Sequence, residues 1–160
     1  MTTQGSSERT GTSDSAGTTV GNAERTEDVG KVGTVAKVDV AAKLAGFDEH
    51  WAPRRIARVN DYDVRVAKLL GRFVWHSHEE TDELFLVVSG TLTLLLRDAD
   101  GAGTGESSVV LGPGELFVVP RGTEHCPVAE EEVSILLFEP STTVNTGGTG
   151  GDRTREPVPA

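Results

Sequence analysis

The stretch HSHEETDE, residues 76–83, is the most informative part of the chain and carries half of a candidate site. Side chains alternate faces along a strand, so His76 and His78, two positions apart, are predicted to point the same way. Two imidazoles on one face, with a carboxylate a few residues later, are typical of the beginning of a metal site. A second stretch, GELFVVPRGTEH at residues 114–125, adds a third histidine after a turn. The predicted metal ligands are therefore His76, His78, Glu83 and His125.

Glu83 differs from the other acids in the first stretch. It opens the apolar run LFLVV, residues 84–88, where a buried carboxylate without a partner would be costly. Coordination to a cation would remove that cost. The three other acids are predicted to be exposed and to form a negative mouth that attracts a cation. They are Glu79, Glu80 and Asp82.

Composition divides the chain into three parts. Residues 1–33 are roughly half Gly, Ser and Thr, with almost no large apolar side chains. Such a segment cannot bury enough surface to offset the entropy lost on ordering, so it is predicted to be a disordered leader. Residues 146–160, rich in Gly and Pro, are predicted to be a disordered tail. Residues 34–145 remain for one folded domain.

The folded part is predicted to be all-β with one short N-terminal helix. The helix is expected from Val38 to Gly46, with Asp39 as N-terminal cap or first-turn acid and Gly46 as its stop. Beyond Pro53, short runs rich in β-branched and apolar residues alternate with turns, which favours a sandwich or barrel. Strands are predicted at 54–60, 61–70, 73–78, 83–89, 91–97, 107–111, 115–119, 125–128 and 133–139.

Charge and composition exclude several classes of partner. The formal net charge is −10, and leader and tail together account for only −2 of it, so the domain repels phosphate backbones and nucleic-acid binding is not expected. No apolar run approaches the roughly 20 residues of a membrane span, and the N-terminus lacks the basic and apolar regions of a secretory signal. The only cysteine, Cys126, rules out an internal disulfide. A cytoplasmic protein is therefore predicted.

Strand alternation also predicts the cavity wall. If Glu83 points inward, so do Phe85 and Val87, and Val74 accompanies the first two histidines. The resulting wall is largely apolar, which suits a small substrate held mainly by the metal. Some other residues could serve chemistry but are interpreted as structural. Tyr62, Arg65 and Lys68 could donate a proton or anchor a carboxylate yet are predicted to face solvent, Cys126 is predicted to face away from His125, and His50 is predicted to be structural or exposed.

The run LFLVV, residues 84–88, is apolar on both faces of its predicted strand. One face fills the interior, and the other would normally meet water. The N-terminal helix and a second copy of the chain are the candidates for covering the outer face. A homodimer is therefore predicted.

Both stretches resemble the two motifs of the cupin superfamily. The first has His76-x-His78, four residues, Glu83, six residues and Gly90; the second has Gly114, five residues, Pro120-x-Gly122, two residues and His125. The resemblance covers about residues 71–129. Two positions depart from the family pattern: Gly71 precedes His76 with four residues between them rather than five, and Ala129 stands where an asparagine is common. Neither is a ligand position in the family.

The resemblance implies a double-stranded β-helix, or jelly roll, with a metal held inside the barrel. The chain looks most like the small single-domain cupins named after mannose-6-phosphate isomerase. Three imidazoles and one carboxylate fill four positions around an ion, which favours Fe²⁺, Mn²⁺, Ni²⁺ or Co²⁺ with open positions and also allows Zn²⁺.

Three functions remain open from the sequence. The first is a metal-dependent enzyme of isomerase, lyase or dioxygenase type, with Glu83 as catalytic residue, acting on a small sugar derivative or carboxylic acid. The second is a non-catalytic module that binds or senses a metal or small ligand. The third is a structural cupin whose metal only holds the barrel together, which an intact set of ligands disfavours.

Overall fold

The computed structural model describes residues 37–97, 105–152, 154–155 and 158–159, so the predicted leader at 1–33 lies outside the described part. The helix α1 spans Val40–Leu44 and is shorter than predicted. Its predicted cap is confirmed, because the Asp39 carboxylate accepts a hydrogen bond of 3.0 Å from the backbone N–H of Ala42. No helix in these residues has the length and apolar character that a membrane crossing requires.

In the described residues eight strands follow the helix and form one sheet that is not closed. Most of them match predicted strands to within one or two residues. They are β1 Arg54–Val59, β2 Tyr62–Arg72, β3 Glu83–Ser89, β4 Leu92–Arg97, β5 Glu106–Leu111, β6 Leu116–Val119, β7 Glu124–Pro140 and β8 Val158–Pro159.

The long strand β7 organises the molecule. Its first part pairs with β4, and its second part lies between β2 and β3. The strand order β5-β4-β7-β2-β1-β8, with β3 joined to both β6 and β7, produces the predicted all-β jelly roll. The interior is filled by alternate residues of these strands, and many of its large buried side chains come from β3, β4 and β7: Phe85, Val87, Leu92, Leu94, Val133, Ile135 and Leu137.

One predicted strand is absent, and two others form a single strand. Residues 73–78 form no strand; within them only His76 makes an isolated bridge, to His125. The predicted strands 125–128 and 133–139 are one strand, β7, because the exposed acids 130–132 between them bulge out while the pairing with β2 continues on both sides. An acidic run predicts a turn from local sequence, but pairing to a partner strand overrides it.

Part of the outer face is covered by α1. Leu44 and Phe47 pack on Val66 of β2, with Val88 of β3 at the margin of the same cluster. The helix thus covers one end of the apolar face predicted at 84–88, and leaves Leu84 and Leu86 partly exposed.

The segment predicted as a disordered tail has structure in its described part. Thr146 is fully buried, and its hydroxyl lies 3.0 Å from the hydroxyl of Thr154. The backbone N–H of Arg155 donates to the Asn145 side chain at 2.8 Å, and β8 pairs in parallel with β1. Composition missed these interactions because it weighs apolar side chains, whereas polar and backbone hydrogen bonds hold this segment.

Candidate metal centre

The four residues predicted as metal ligands come together inside the jelly roll. One ligand atom from each lies within 4.8 Å of the others. All four side chains are buried. Glu83 is at the centre, because its Oε2 is 3.0 Å from Nε2 of His125 and 3.1 Å from Nε2 of His78. Three imidazoles and a carboxylate in one buried cluster form a candidate site for a divalent ion.

Backbone carbonyls orient two of the three histidine rings. Nδ1 of His76 is 3.1 Å from the carbonyl oxygen of Val74, and Nδ1 of His125 is 3.0 Å from that of Thr123. A carbonyl oxygen can only accept, so each Nδ1 must donate its proton. This leaves Nε2 of each ring for the cluster, and that of His125 contacts Glu83; metal-binding histidines commonly show such an arrangement.

The contact between Glu83 and His125 requires a positive charge. If Nε2 of His125 carried no proton, two acceptors would face each other at 3.0 Å in a buried site. Burial alone would lower the pKa of His125 and raise that of Glu83; their mutual contact outweighs burial, raising the pKa of His125 and lowering that of Glu83. A proton on His125 or a shared cation satisfies both groups.

The pKa of His76 changes in the opposite direction from that of His125. Burial and the neighbouring charge of His125 lower its pKa to about 4, so its ring is neutral at pH 7. His78 adds an Nε2 atom that is buried without a well-directed hydrogen bond. A neutral imidazole and an unsatisfied buried nitrogen are the forms that a metal ion binds. The donor atoms therefore fit a divalent transition metal.

The turn at residues 120–122 brings the two predicted motifs together. The backbone N–H of Gly122 donates to the carbonyl of His78 at 2.9 Å, and that of Arg121 donates to the carboxylate of Asp82 at 2.9 Å. Gly122 has φ +75°, a conformation that glycine adopts without a steric penalty. His125 then exchanges two backbone hydrogen bonds with His76. This bridge, rather than the predicted strand at 73–78, holds the first two histidines.

A small, largely apolar cavity of about 30 Å³ adjoins His76 and Glu83. Phe85 points inward as predicted, but Phe73 and not Val74 lines the cavity, because β2 continues to Arg72 with a register shift near Gly71. Trp51 and Asn145 also line the cavity and were not predicted from the sequence. No periodic pattern marked them, since both lie outside the strands. The other apolar lining residues are Pro53, Ala67, Leu69, Pro127, Ile135 and Leu137.

Arg65 does not face solvent, so that prediction is wrong. Its side chain is 1% exposed, and its guanidinium donates to Glu139 at 2.6 Å and to Asp63 at 3.3 Å. Residues 63 and 65 share the interior face of β2, which alternation could have predicted. Burial, reinforced by the charge of Glu83, raises the pKa of Glu139 to about 8 despite the attraction of Arg65. Asp63, Arg65 and Glu139 thus form a buried charged cluster in the jelly roll.

The remaining residues considered from sequence lie outside the four-residue cluster. Tyr62 stacks on Phe138 with ring centroids 5.0 Å apart, and Lys68 lies 3.7 Å from Asp48 and 3.9 Å from Glu132. His50 contacts Glu132 at 2.9 Å. Cys126 is fully buried and its thiol donates to the carbonyl of Phe73, away from the cluster. The predicted mouth is exposed at all three of its acids, Glu79, Glu80 and Asp82.

Comparison with known proteins agrees with this architecture. Residues 65–139 match the family model described as the cupin domain. A crystal structure of a cupin-2 domain containing protein from Shewanella frigidimarina is 42% identical, with a TM-score of 0.59, over 64% of this chain and 93% of the other. The chain belongs to the cupin superfamily.

Two further relatives of this cupin show different degrees of likeness. The protein YdbB of Bacillus subtilis is 37% identical over 70 residues, which are 44% of this cupin and 56% of YdbB. Hydroquinone 1,2-dioxygenase from Sphingomonas sp. TTNP3, solved with 4-hydroxybenzoate bound, is 17% identical with a TM-score of 0.56 over 63% of this cupin and 72% of its own chain. The second likeness concerns the fold alone. Membership of the mannose-6-phosphate isomerase-like grouping stays a prediction.

Proposed function

We propose that this cupin is a metal-dependent enzyme acting on a small oxygenated molecule. The observation that carries the proposal is the buried cluster of His76, His78, Glu83 and His125, with ligand atoms within 4.8 Å of one another, beside a cavity. A merely structural site needs no adjoining cavity, whereas a substrate needs one. The same four ligands would hold the ion in a structural site and in a catalytic one, so the ligands alone do not distinguish the two.

The donor set limits the identity of the ion. Three imidazole nitrogens and one carboxylate oxygen suit Fe²⁺, Mn²⁺, Ni²⁺, Co²⁺ or Zn²⁺ and do not choose among them. An octahedral ion keeps about two positions open after these four ligands. When bound, such an ion supplies a Lewis acid that polarises a carbonyl or carboxylate oxygen.

The residues that line the cavity limit the class of substrate that could bind. Apart from His76 and Glu83, its only polar side chain among the described lining residues is that of Asn145. Neither Lys nor Arg is among the described residues that line the wall. Of the two classes that the sequence suggests, a sugar derivative and a carboxylic acid, the wall favours a small carboxylic acid with an apolar body, because most hydroxyl groups of a sugar would find no hydrogen-bond partner there. The cavity volume of about 30 Å³ holds only a few atoms, so a larger substrate requires the cavity to widen.

Glu83 is the residue whose change tests catalysis most directly. Glu83→Gln keeps the shape of the side chain but removes its negative charge, which weakens the hold on a cation. We expect kcat/KM to fall by at least about 100-fold, because loss of an outer partner of a ligand alone costs about 10- to 100-fold, while circular dichroism shows the native fold. Glu130→Gln, at an exposed acid on the bulge of β7, is the matched control and is expected to keep full activity. Unchanged turnover in Glu83→Gln would remove Glu83 from the catalytic role.

The enzyme proposal is tested by elemental analysis of the purified protein, followed by a turnover screen of small organic acids and sugars. Stoichiometric metal together with turnover of one class supports it. Stoichiometric metal with ligand binding but no turnover would instead favour the alternative, a module that binds or senses a metal or small ligand. Absence of metal after supplementation with each of the five ions would contradict both functions.

We also infer that this cupin forms a homodimer through the outer face of β3 and β6. Two rows of apolar side chains cross the strands there, Leu84 beside Val118 and Leu86 beside Leu116. Leu116 is 56% exposed and Val118 40% exposed. Phe138 and Leu136 of β7 extend the same rows. A contiguous apolar face of this kind on a small domain favours association with a self-complementary copy.

The dimer is tested with two negative charges on this face. Leu116→Asp combined with Val118→Asp is expected to give a monomer in size-exclusion light scattering, because two carboxylates would be buried at the interface. Both positions are exposed in the single chain, so the fold should be retained. Val110→Asp, at a residue 60% exposed on β5, is the control and should remain dimeric. A wild-type protein that is monomeric at micromolar concentration would refute the inference.

A further inference from the structure

The segment after β7 passes directly over the backbone between the first two histidines. We define this C-terminal strap as residues 141–152. Within it, Gly147 has φ +56°, and a Cβ atom added there would overlap the carbonyl oxygen of Ser77 and lie 2.8 Å from its carbonyl carbon. Real Cβ atoms do not approach backbone this closely. Only glycine therefore allows the strap to rest against Ser77, which stands between His76 and His78.

Buried groups hold the strap at this position. The guanidinium of Arg65 donates to the carbonyl oxygens of Ser141 and Thr143, at 3.2 and 2.9 Å. Thr146 is fully buried, and its hydroxyl lies 3.0 Å from that of Thr154. Asn145 lines the cavity beside the cluster. The part of the strap that precedes Gly147 is thus tied both to the interior and to the C-terminal segment.

The described backbone contacts of the histidine pair lie with the segment at residues 122–125. Residues 73–78 form no strand, and the described backbone bonds of the pair run from His76 to His125 and from His78 to Gly122. Ser77 itself is constrained by the strap and by its hydroxyl contact with Glu79 at 2.8 Å. A site holds its ligand best when supporting residues lock the ligating side chains.

We propose that Gly147 is a positioning residue for the metal centre, acting through the backbone of Ser77 to set the separation and direction of His76 and His78. The inference rests on the proposed metal-binding function for its consequence, but the positioning itself is a property of the chain. It assigns to the C-terminal strap a role in the site that no ligand motif contains.

The test compares Gly147→Ala with Gly150→Ala. Gly150 has φ +70°, so alanine is strained there in the same way, but a Cβ atom at Gly150 meets nothing within 4 Å. Both full-length proteins are examined by hydrogen–deuterium exchange without metal and by titration with Co²⁺, followed through its visible absorption. In Gly147→Ala we expect faster exchange across residues 75–79, a changed Co²⁺ spectrum and about 10- to 100-fold weaker Co²⁺ binding. Gly150→Ala should match the wild type in all three.

The outcomes separate this inference from the proposed function. Native exchange, spectrum and affinity in Gly147→Ala would overturn the positioning role. If the wild type bound no Co²⁺ while the exchange difference persisted, the metal function would fail and the positioning of Ser77 would stand. If Gly147→Ala did not fold, Thr154→Val would decide, because it removes only the contact with Thr146. Faster exchange at 75–79 with about two- to tenfold weaker Co²⁺ binding supports the role, and unchanged values refute it.

Discussion

The double substitution His76→Ala and His125→Ala is expected to abolish stoichiometric metal binding. The two residues supply two of the four ligand atoms that lie within 4.8 Å of one another. Loss of an outer partner of a metal ligand alone weakens affinity about 10- to 100-fold, so loss of two ligands should cost considerably more. Elemental analysis after dialysis against each of the five ions, and titration with Co²⁺, measure the effect.

His50→Ala is the matched control for this experiment. His50 is the one histidine of the chain that lies outside the cluster, and its ring contacts Glu132 on the surface. Its removal should leave metal content and affinity unchanged. Full metal content in the double variant would contradict the assignment of the site. A reduced metal content in His50→Ala would indicate a metal site at His50 instead of the cluster.

Arg65→Leu is expected to lower the free energy of unfolding by about 3–5 kcal/mol. Leucine fills much of the space of the side chain but leaves the buried Asp63 carboxylate and the buried Glu139 carboxyl group without the cation that they share. Glu139, whose pKa is raised to about 8, loses a hydrogen-bond donor, and Asp63 keeps its contact with Arg58 at 3.0 Å. The substitution also removes the hydrogen bonds to Ser141 and Thr143. Urea unfolding followed by circular dichroism gives the value.

Arg97→Leu shows whether burial is the cause. Like Arg65, Arg97 pairs with two carboxylates, those of Glu106 and Glu124, but its side chain is 41% exposed. Solvent screens exposed pairs, so the loss of stability should be much smaller. Equal losses from the two substitutions would mean that the number of ion pairs, and not their burial, determines the effect.

The sequence was informative wherever one strand or one motif carried the signal. Alternation from Glu83 correctly placed Phe85 and Val87 inside, and the spacing of both motifs identified the residues that meet in the cluster. It was less informative where distant segments decide. His76 and His78 face the interior because of a bridge to His125 and not because of a strand, and that bridge has no local signature.

The predictions from sequence failed mainly for buried polar residues. Arg65 was predicted to face solvent because arginine usually does, although its position on β2 shares a face with buried Asp63. The C-terminal strap was missed for a related reason. Its residues 146–152 were predicted to be disordered from their Gly- and Thr-rich composition, but Gly147 makes a close backbone contact that a composition argument cannot detect.

The contact between Glu83 and His125 has a consequence for the life of the protein before it acquires a metal. Because a proton on His125 can balance the carboxylate, the chain can complete its fold with the ligands already gathered, and the ion can arrive afterwards by displacing that proton. For a chain that binds a metal as we propose, folding and the uptake of the ion are then separate steps, and the ion that is bound depends on which one the surroundings supply.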